Sequence, residues 1–238
     1  MEGLFDIHCH IIPNVDDGSD SMDTTMKILQ MEYEDGVRTV FATSHFRRGM
    51  FEPSMEKYWK QFELVREAAS KMGITVLPGC EFHANMEMVE TLRNGERPTM
   101  GDSRCVLVEF KNGSPREFIR ERCYTLMTSG YQPIIAHAER YECIRKDLDF
   151  LEDLVDMGAY IQFNCQSITG DDGFFMKQYC KKAIQRDLVH FIGTDAHNVA
   201  ERKPTIGKCV KYLEKLMGEE YVEAVFIDNP QSLILEDK

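Results

Sequence analysis

Nowhere in the chain do about eighteen apolar residues follow one another, and the start MEGLFDIHCH has neither the basic opening nor the apolar stretch of a secretory signal. The sequence therefore predicts a cytoplasmic protein with no stable membrane insertion. No C-x-x-C pair occurs. Eight cysteines stand singly (Cys9, Cys80, Cys105, Cys123, Cys143, Cys165, Cys180, Cys209), which argues against a zinc ribbon or a secreted disulfide framework and reads as small buried residues in a reducing compartment. Cations are in short supply, 28 Lys and Arg against 40 Asp and Glu, for a formal charge of −12. Nucleic acid and anionic membrane are poor partners for such a chain, because both need clustered Lys and Arg. Linkers, low-complexity stretches and long internal repeats are missing too.

What is present fits one large core. With 238 residues and 43% hydrophobic composition, a single domain over 1–238 is expected. Seven β-branched or apolar runs read as strands: Leu4 to His8, Val37 to Thr43, Ile74 to Pro78, Arg104 to Phe110, Gln132 to His137, Ala159 to Asn164 and Val189 to Thr194. Helical spacings lie between them, the clearest being Met55, Tyr58, Phe62, Val65, Ala69 and Met72. Gly36, Gly73, Gly130 and Gly158 each close a helix just before a strand, as left-handed C′ residues do. Pro115 suggests a helix with Pro in its first turn, and Phe82 to Ser103 reads as an extended loop with one short helix. Strands alternating with helices imply an α/β protein with a parallel sheet, and seven units suit a closed or nearly closed barrel better than an open doubly wound sheet.

Histidines and acids gather at the C-terminal ends of these runs, where parallel barrels place their active sites. Strand one ends in Asp6-Ile7-His8-Cys9-His10, strand two in Ser44-His45, strand three in Glu81, strand four in Glu109, strand five in His137 and strand seven in Asp195-Ala196-His197; five of the chain's seven histidines fall there. An H-x-H on a strand sets both imidazoles on one face, so His8 and His10 can grip one ion, while Cys9 faces the other way and packs. Imidazole with several carboxylates and no thiolate suits a catalytic Zn, Mn or Fe site rather than a structural zinc knot. Three divalent ions would bring the formal charge from −12 to about −6. His83 and His190 fall outside the pattern and stay unassigned.

DIHCHIIPNVDDGS (6–19), TSHFRRGMFE (43–52), GCEFH (79–83), DSRCVLVEF (102–110), IIAHAERY (134–141), GTDAHN (193–198) and FIDNP (226–230) together resemble the polymerase-and-histidinol-phosphatase (PHP) family. Within it they resemble the bacterial tyrosine-protein phosphatase branch associated with capsular and exopolysaccharide synthesis. The resemblance spans nearly the whole chain. It implies a distorted (β/α)7 TIM-like barrel, three divalent ions (Mn first, Fe or Zn as alternatives) and hydrolysis of phosphotyrosine by water that the ions activate. It also implies that His8, His10, Glu81 and Asp195 hold one ion, that Glu81 bridges to a second held by Glu109 and His137, and that Asp17, His45 and His197 hold the third. Asp16 is the adjacent alternative to Asp17. Arg140 and Arg202 then acquire phosphate-binding roles, Asp17 or His197 could pass a proton through water, and Arg47 and Arg48 would line the entrance. The implied partner is a phosphotyrosyl protein, the tail of a bacterial tyrosine autokinase. Oligomeric state is not legible.

Four rivals remain in the sequence. Cys180-Lys-Lys-Ala-Ile-Gln-Arg186 matches the C-x5-R spacing of cysteine-dependent phosphatases, but it contains no glycine and reads as helix, where the backbone N–H groups that would cradle phosphate are already bonded. A histidinol-phosphate or other small-molecule phosphatase would use the same metal site. An amidohydrolase is disfavoured because no Lys stands at a strand end. A protein that binds phosphotyrosine without turning it over would be expected to have lost a ligand, and none is missing.

Overall fold

The computed structural model describes residues 1–235. Nine short strands appear where seven runs are expected: β1 (Leu4–Cys9), β2 (Val37–Ala42), β3 (His45–Phe46), β4 (Thr75–Pro78), β5 (Glu81–His83), β6 (Cys105–Glu109), β7 (Gln132–Ile135), β8 (Tyr160–Asn164) and β9 (Phe191–Gly193). The surplus arises because runs two and three are each followed, after a two-residue break, by a further short strand. β2 pairs with β1 and β4, whereas β3 and β5 carry the same two chain segments into a second parallel sheet of order β3-β5-β6-β7-β8-β9. The break at Gly79 has a steric cause: a Cβ there would stand 3.0 Å from Thr43 Cγ2 and 3.2 Å from the Met100 sulfur. The two segments approach too closely for a side chain.

All pairings between these strands are parallel, and helices lie between and after them: α1 (Met22–Glu34), α2 (Met55–Ser70), α3 (Met88–Arg93), α4 (Arg116–Thr128), α5 (Glu142–Arg145), α6 (Leu148–Asp156), α7 (Cys165–Thr169), α8 (Phe174–Gln185) and α9 (Ile206–Met217). In α2, Ser54 caps the first turn by accepting the Lys57 amide at 3.2 Å, and Tyr58, Phe62, Val65 and Ala69 form the buried stripe. The Tyr58 hydroxyl donates to Gly79 O at 2.9 Å, tying this helix to the strand break. α4 begins at Arg116 with Pro115 one position ahead of the first turn rather than in it; its missing N–H costs nothing there. Phe82 to Ser103 contains the end of β5, α3 and one tight turn at Met100–Asp102.

The chain thus curls into a barrel whose interior is filled by Phe5, Ile7, Phe41, Leu107, Ile134 and Phe191. A second apolar layer, including Leu4, Val40, Phe62, Cys123 and Leu154, lies between the strands and the helices. Each such side chain contributes about 1.5–3 kcal/mol by leaving water. Closure is sparse. β1 meets the segment after β9 through a single bridge, Cys9 with Ala196, together with bonds from Asp195 N to His8 O (2.7 Å) and from His10 N to Ala196 O (2.9 Å).

The four glycines expected at helix ends have φ of +95° (Gly36), +80° (Gly73), +91° (Gly130) and +103° (Gly158). At Gly130 no atom lies within 4 Å of where a Cβ would be, so only backbone strain opposes substitution. Gly130→Ala should lower stability by about 1–2 kcal/mol, read as an earlier denaturant midpoint with an unchanged slope and unchanged metal affinity.

Candidate metal centre

The strand breaks and the sparse seam bring the polar strand ends to one point. His8 Nε2 and His10 Nε2 are 3.2 Å apart. Glu81 Oε2 is 3.2 Å from each, and Asp195 Oδ1 is 3.5 Å from the first and 3.4 Å from the second. Ligand atoms about 2.1 Å from one ion in tetrahedral array stand about 3.4 Å apart, so these four form a cage of the right size. Glu81 is the hinge of the cluster. Its Oε1 lies 2.8 Å from His137 Nε2 and its Oε2 2.9 Å from His45 Nδ1. Glu109 approaches the same two imidazoles at 4.0 and 3.9 Å.

A third group opens toward solvent, where Asp17 Oδ1 lies 3.5 Å from His45 Nε2 and 3.7 Å from His197 Nε2. Every residue singled out as a ligand in the sequence lies in this constellation. The adjacent acids separate clearly: Asp17 is half exposed, whereas the Asp16 carboxylate is shielded, takes His10 Nδ1–H at 2.9 Å and accepts the His45 amide at 2.7 Å. Asp16 orients His10; Asp17 faces the cavity.

Other imidazoles are aimed by partners that sequence reasoning missed. His8 Nδ1 meets Gln162 Oε1 at 3.0 Å, and the same oxygen accepts the His137 amide at 2.7 Å. The Gln162 amide in turn donates to Asn164 Oδ1, and Asn164 Nδ2 donates to Asp195 Oδ2 at 3.0 Å. His197 Nδ1 meets its neighbour's carbonyl, Asp195 O, at 2.9 Å. Fixing Nδ1 this way turns Nε2 toward a common centre, as outer partners do in metal sites. β8 carries no acid or histidine at its end, yet Gln162-Phe163-Asn164 has the same i, i+2 spacing as the ligand pairs, and that was the available signal.

The electrostatics are set by acids and imidazoles packed together out of water. Burial raises the Glu81 carboxyl, but His45 and His8, with bonds from His10 and His137, outweigh it and hold it well below the ordinary carboxylate range. Asp195 is likewise pushed up by burial and pulled well below its usual value by His8, His10, Arg140 and Arg202. Burial alone would lower His10, but its bonds to Asp16, Asp195 and Glu81 raise it well above 6.5. His197 goes the other way, driven down to about 2 by burial and by the neighbouring His10. His197 Nε2 is buried without a hydrogen-bond partner. Carboxylate oxygens and imidazole nitrogens converging on one point are the donor set that divalent first-row ions require.

The mouth above is a cavity of about 630 Å³, lined by Asp17, His45, Arg47, Glu109, His137, Arg140 and Arg202 among others. Arg140 Nη1 and Arg202 Nη2 both reach Asp195, at 2.7 and 2.8 Å. Arg48 does not line the entrance as expected: it pairs with Glu52, Glu87 and Glu96 and lies over the Phe46 ring, where three acids outcompete the cavity. His83 is near the site after all, meeting Glu109 Oε2 at 3.0 Å, whereas His190 accepts the Ile161 amide far from it. Cys9 is buried in the layer under the helices. Cys180 is buried on α8, its thiol driven far up by burial, and Arg186 is bound to Asp149 and Glu152. No phosphate cradle exists there.

Parallel strands curled about a buried cluster of imidazoles and carboxylates define a barrel of the metal-hydrolase kind. The family described as capsular polysaccharide synthesis, CpsB/CapC, matches residues 4–235, and the chain belongs to it. Among its relatives is "Tyrosine-protein phosphatase CpsB" of Streptococcus pneumoniae, 34% identical over 98% of this chain and 99% of that protein. Another is "Tyrosine-protein phosphatase YwqE" of Bacillus subtilis, 31% identical over 91% and 86%. A solved structure from work on YwqE of B. subtilis and CpsB of S. pneumoniae, described as metal-dependent tyrosine phosphatases, superposes with a TM-score of 0.91 at 28% identity, covering 99% of this chain and 96% of the other. A histidinol phosphate phosphatase of Lactococcus lactis shares the fold at a TM-score of 0.61 and 16% identity, over 92% and 95% of the two chains.

The protonation pattern has a consequence for the metal-free protein. His8, His10 and His45 have folded values above 6.5, so the stability they contribute is complete below that value and is lost as pH rises through their folded values. Melting of chelator-treated protein should therefore shift to lower temperature as pH rises above about 6.5. With divalent ions bound the trend should reverse, since deprotonated ligands bind more tightly. Calorimetry on both forms decides it.

Proposed function

We propose that this chain is a single-domain, cytoplasmic, metal-dependent tyrosine-protein phosphatase, and that its substrate is a phosphotyrosyl protein such as the tail of a bacterial tyrosine autokinase. The observation that carries the reading is the cage of His8, His10, Glu81 and Asp195, with edges of 3.2–3.5 Å, beneath a cavity lined by arginines. The family supports it. We assign His8, His10, Glu81 and Asp195 to one ion, Glu81, Glu109 and His137 to a second, and Asp17, His45 and His197 to a third, with Mn as the preferred metal. When bound, divalent ions polarise phosphoryl oxygens and activate water at neutral pH.

The chain's own groups do the rest. Arg140 and Arg202 are 29% and 35% exposed at the side chain and each spends one nitrogen on Asp195, which leaves N–H groups of each fork for equatorial phosphate oxygens, where charge accumulates. Burial lowers the Arg140 guanidinium, but Asp195 and Glu139 more than compensate, so it stays charged. A phenol ionises near pH ~10, far below an alkyl alcohol, so no strong general acid is needed. Asp17, half exposed at the mouth, is the group suited to pass a proton through water. The open polar cavity suits a phosphorylated side chain presented by a protein better than a small molecule that must be enclosed.

Chelation should abolish hydrolysis of an aryl phosphate and Mn should restore it, while Cys180→Ser leaves the rate nearly unchanged; the opposite pattern would move the chemistry to the cysteine. Rates on a phosphotyrosyl peptide should exceed those on histidinol phosphate. Arg140→Ala should lower kcat/KM on the peptide by roughly 10²-fold, the scale for removing one donor from a developing charge, with metal stoichiometry retained in elemental analysis.

A further inference from the structure

Beneath the metal centre lies a second set of buried acids. Asp6 of β1 and Glu32 of α1 are both fully buried, and with Cys9 they place oxygen and sulfur atoms within 4.8 Å of one another. Asp6 accepts three hydrogen bonds and keeps room for a fourth: Oδ1 takes the His8 amide at 3.1 Å and the Thr194 amide at 3.0 Å, and Oδ2 takes the Thr194 hydroxyl. The Cys9 thiol turns to Ala196 O at 3.9 Å. Glu32 stands apart, because no other group donates a hydrogen bond to either of its buried oxygens.

Two carboxylates side by side in a dry interior cannot both remain ionised, and one proton between them converts repulsion into a hydrogen bond. The three donors on Asp6 favour its charged form, so the hydrogen belongs on Glu32. We propose that Glu32 is carried as an un-ionised carboxylic acid that donates to Asp6, and that it is a positioning residue for the segments bearing His8 and Asp195. Burial, reinforced by the charge of Asp6, also drives the Glu32 carboxyl well above its ordinary value.

The seam explains why this matters. β1 and the segment after β9 share only one bridge and two backbone hydrogen bonds, so the Asp6–Thr194 clasp is a substantial part of what sets their relative height, and it grips the amide of one proposed ligand and the residue before another. Thr194 Oγ1 extends the clasp by accepting the Ala196 amide at 3.1 Å. Glu32 is the prop behind it, reaching from the helix layer. The inference rests on the reading of His8 and Asp195 as metal ligands.

The test compares the full-length protein with Glu32→Gln and Glu32→Ala. In infrared spectra at neutral pH, the wild type should show a carboxylic-acid C=O stretch that Glu32→Gln lacks; no difference overturns the proposal. Glu32→Gln, which keeps a donor of the same reach, should bind Mn as the wild type does. Glu32→Ala should weaken Mn binding by roughly 10- to 100-fold, the effect of losing an outer partner at a metal site, with KM at saturating Mn unchanged. Wild-type Mn affinity in Glu32→Ala overturns the proposal, and so does the loss of one metal equivalent in Glu32→Gln, which would assign a cation to the pair. Should Glu32→Ala fail to fold, the infrared comparison with Glu32→Gln still decides. Neither the infrared nor the Mn readout depends on phosphatase activity, so failure of the catalytic reading would show separately.

Discussion

Glu81 holds the molecule's central constraint: a carboxylate with no solvent exposure, surrounded by the imidazoles of His8, His10, His45 and His137. An isolated charge in that position would be prohibitively costly, so the fold must deliver positive charge to it from several directions. It does so by breaking the strand that bears it. The turn through Gly79 and Cys80 shifts the segment from one sheet to the next, and Glu81 N then bonds Ser44 O at 3.1 Å, placing His45 beside it. Irregularity in the sheet is here the means by which ligand-type atoms from separate strands converge.

The same logic governs the barrel's closure. A full ladder between β1 and β9 would hold the two segments in regular register, but Asp195 adopts φ +55°, a left-handed conformation that turns its carboxylate toward His8 and His10. Such backbone is unfavourable for a residue other than glycine. It is held by the Asp195 N to His8 O bond, by Asn164, and by the two arginines on its oxygens. One acid therefore joins the cluster of imidazoles to the basic rim of the cavity, so that phosphate binding and metal binding are coupled through Asp195 in the proposed reaction.

Orientation of the imidazoles depends on a layer of uncharged or shielded groups. Gln162, Asn164, Asp16 and Tyr141 each engage a ring nitrogen or a ligand carboxylate. This layer was the least legible part of the site. Amides are common at strand ends for many reasons, and nothing in Gln162 or Asn164 announces a partner 154 positions away in the chain. Histidine is rare enough that its clustering at strand ends carries information, which is why the ring-bearing residues stood out and their supports did not.

The sequence by itself determined the alternation of strand and helix, the glycine stops, the gathering of histidines and acids at strand ends, and the absence of a phosphate loop around Cys180. These follow from local periodicity and backbone preference, which act within a few residues. Tertiary structure alone decided that runs two and three split, that Asp16 turns inward while Asp17 faces the cavity, and that Arg48 is captured by Glu52, Glu87 and Glu96. It also decided that Glu32 meets Asp6. Each of these is a competition among partners distant in sequence, settled by which atoms reach one another first in three dimensions, and no local pattern encodes that distance.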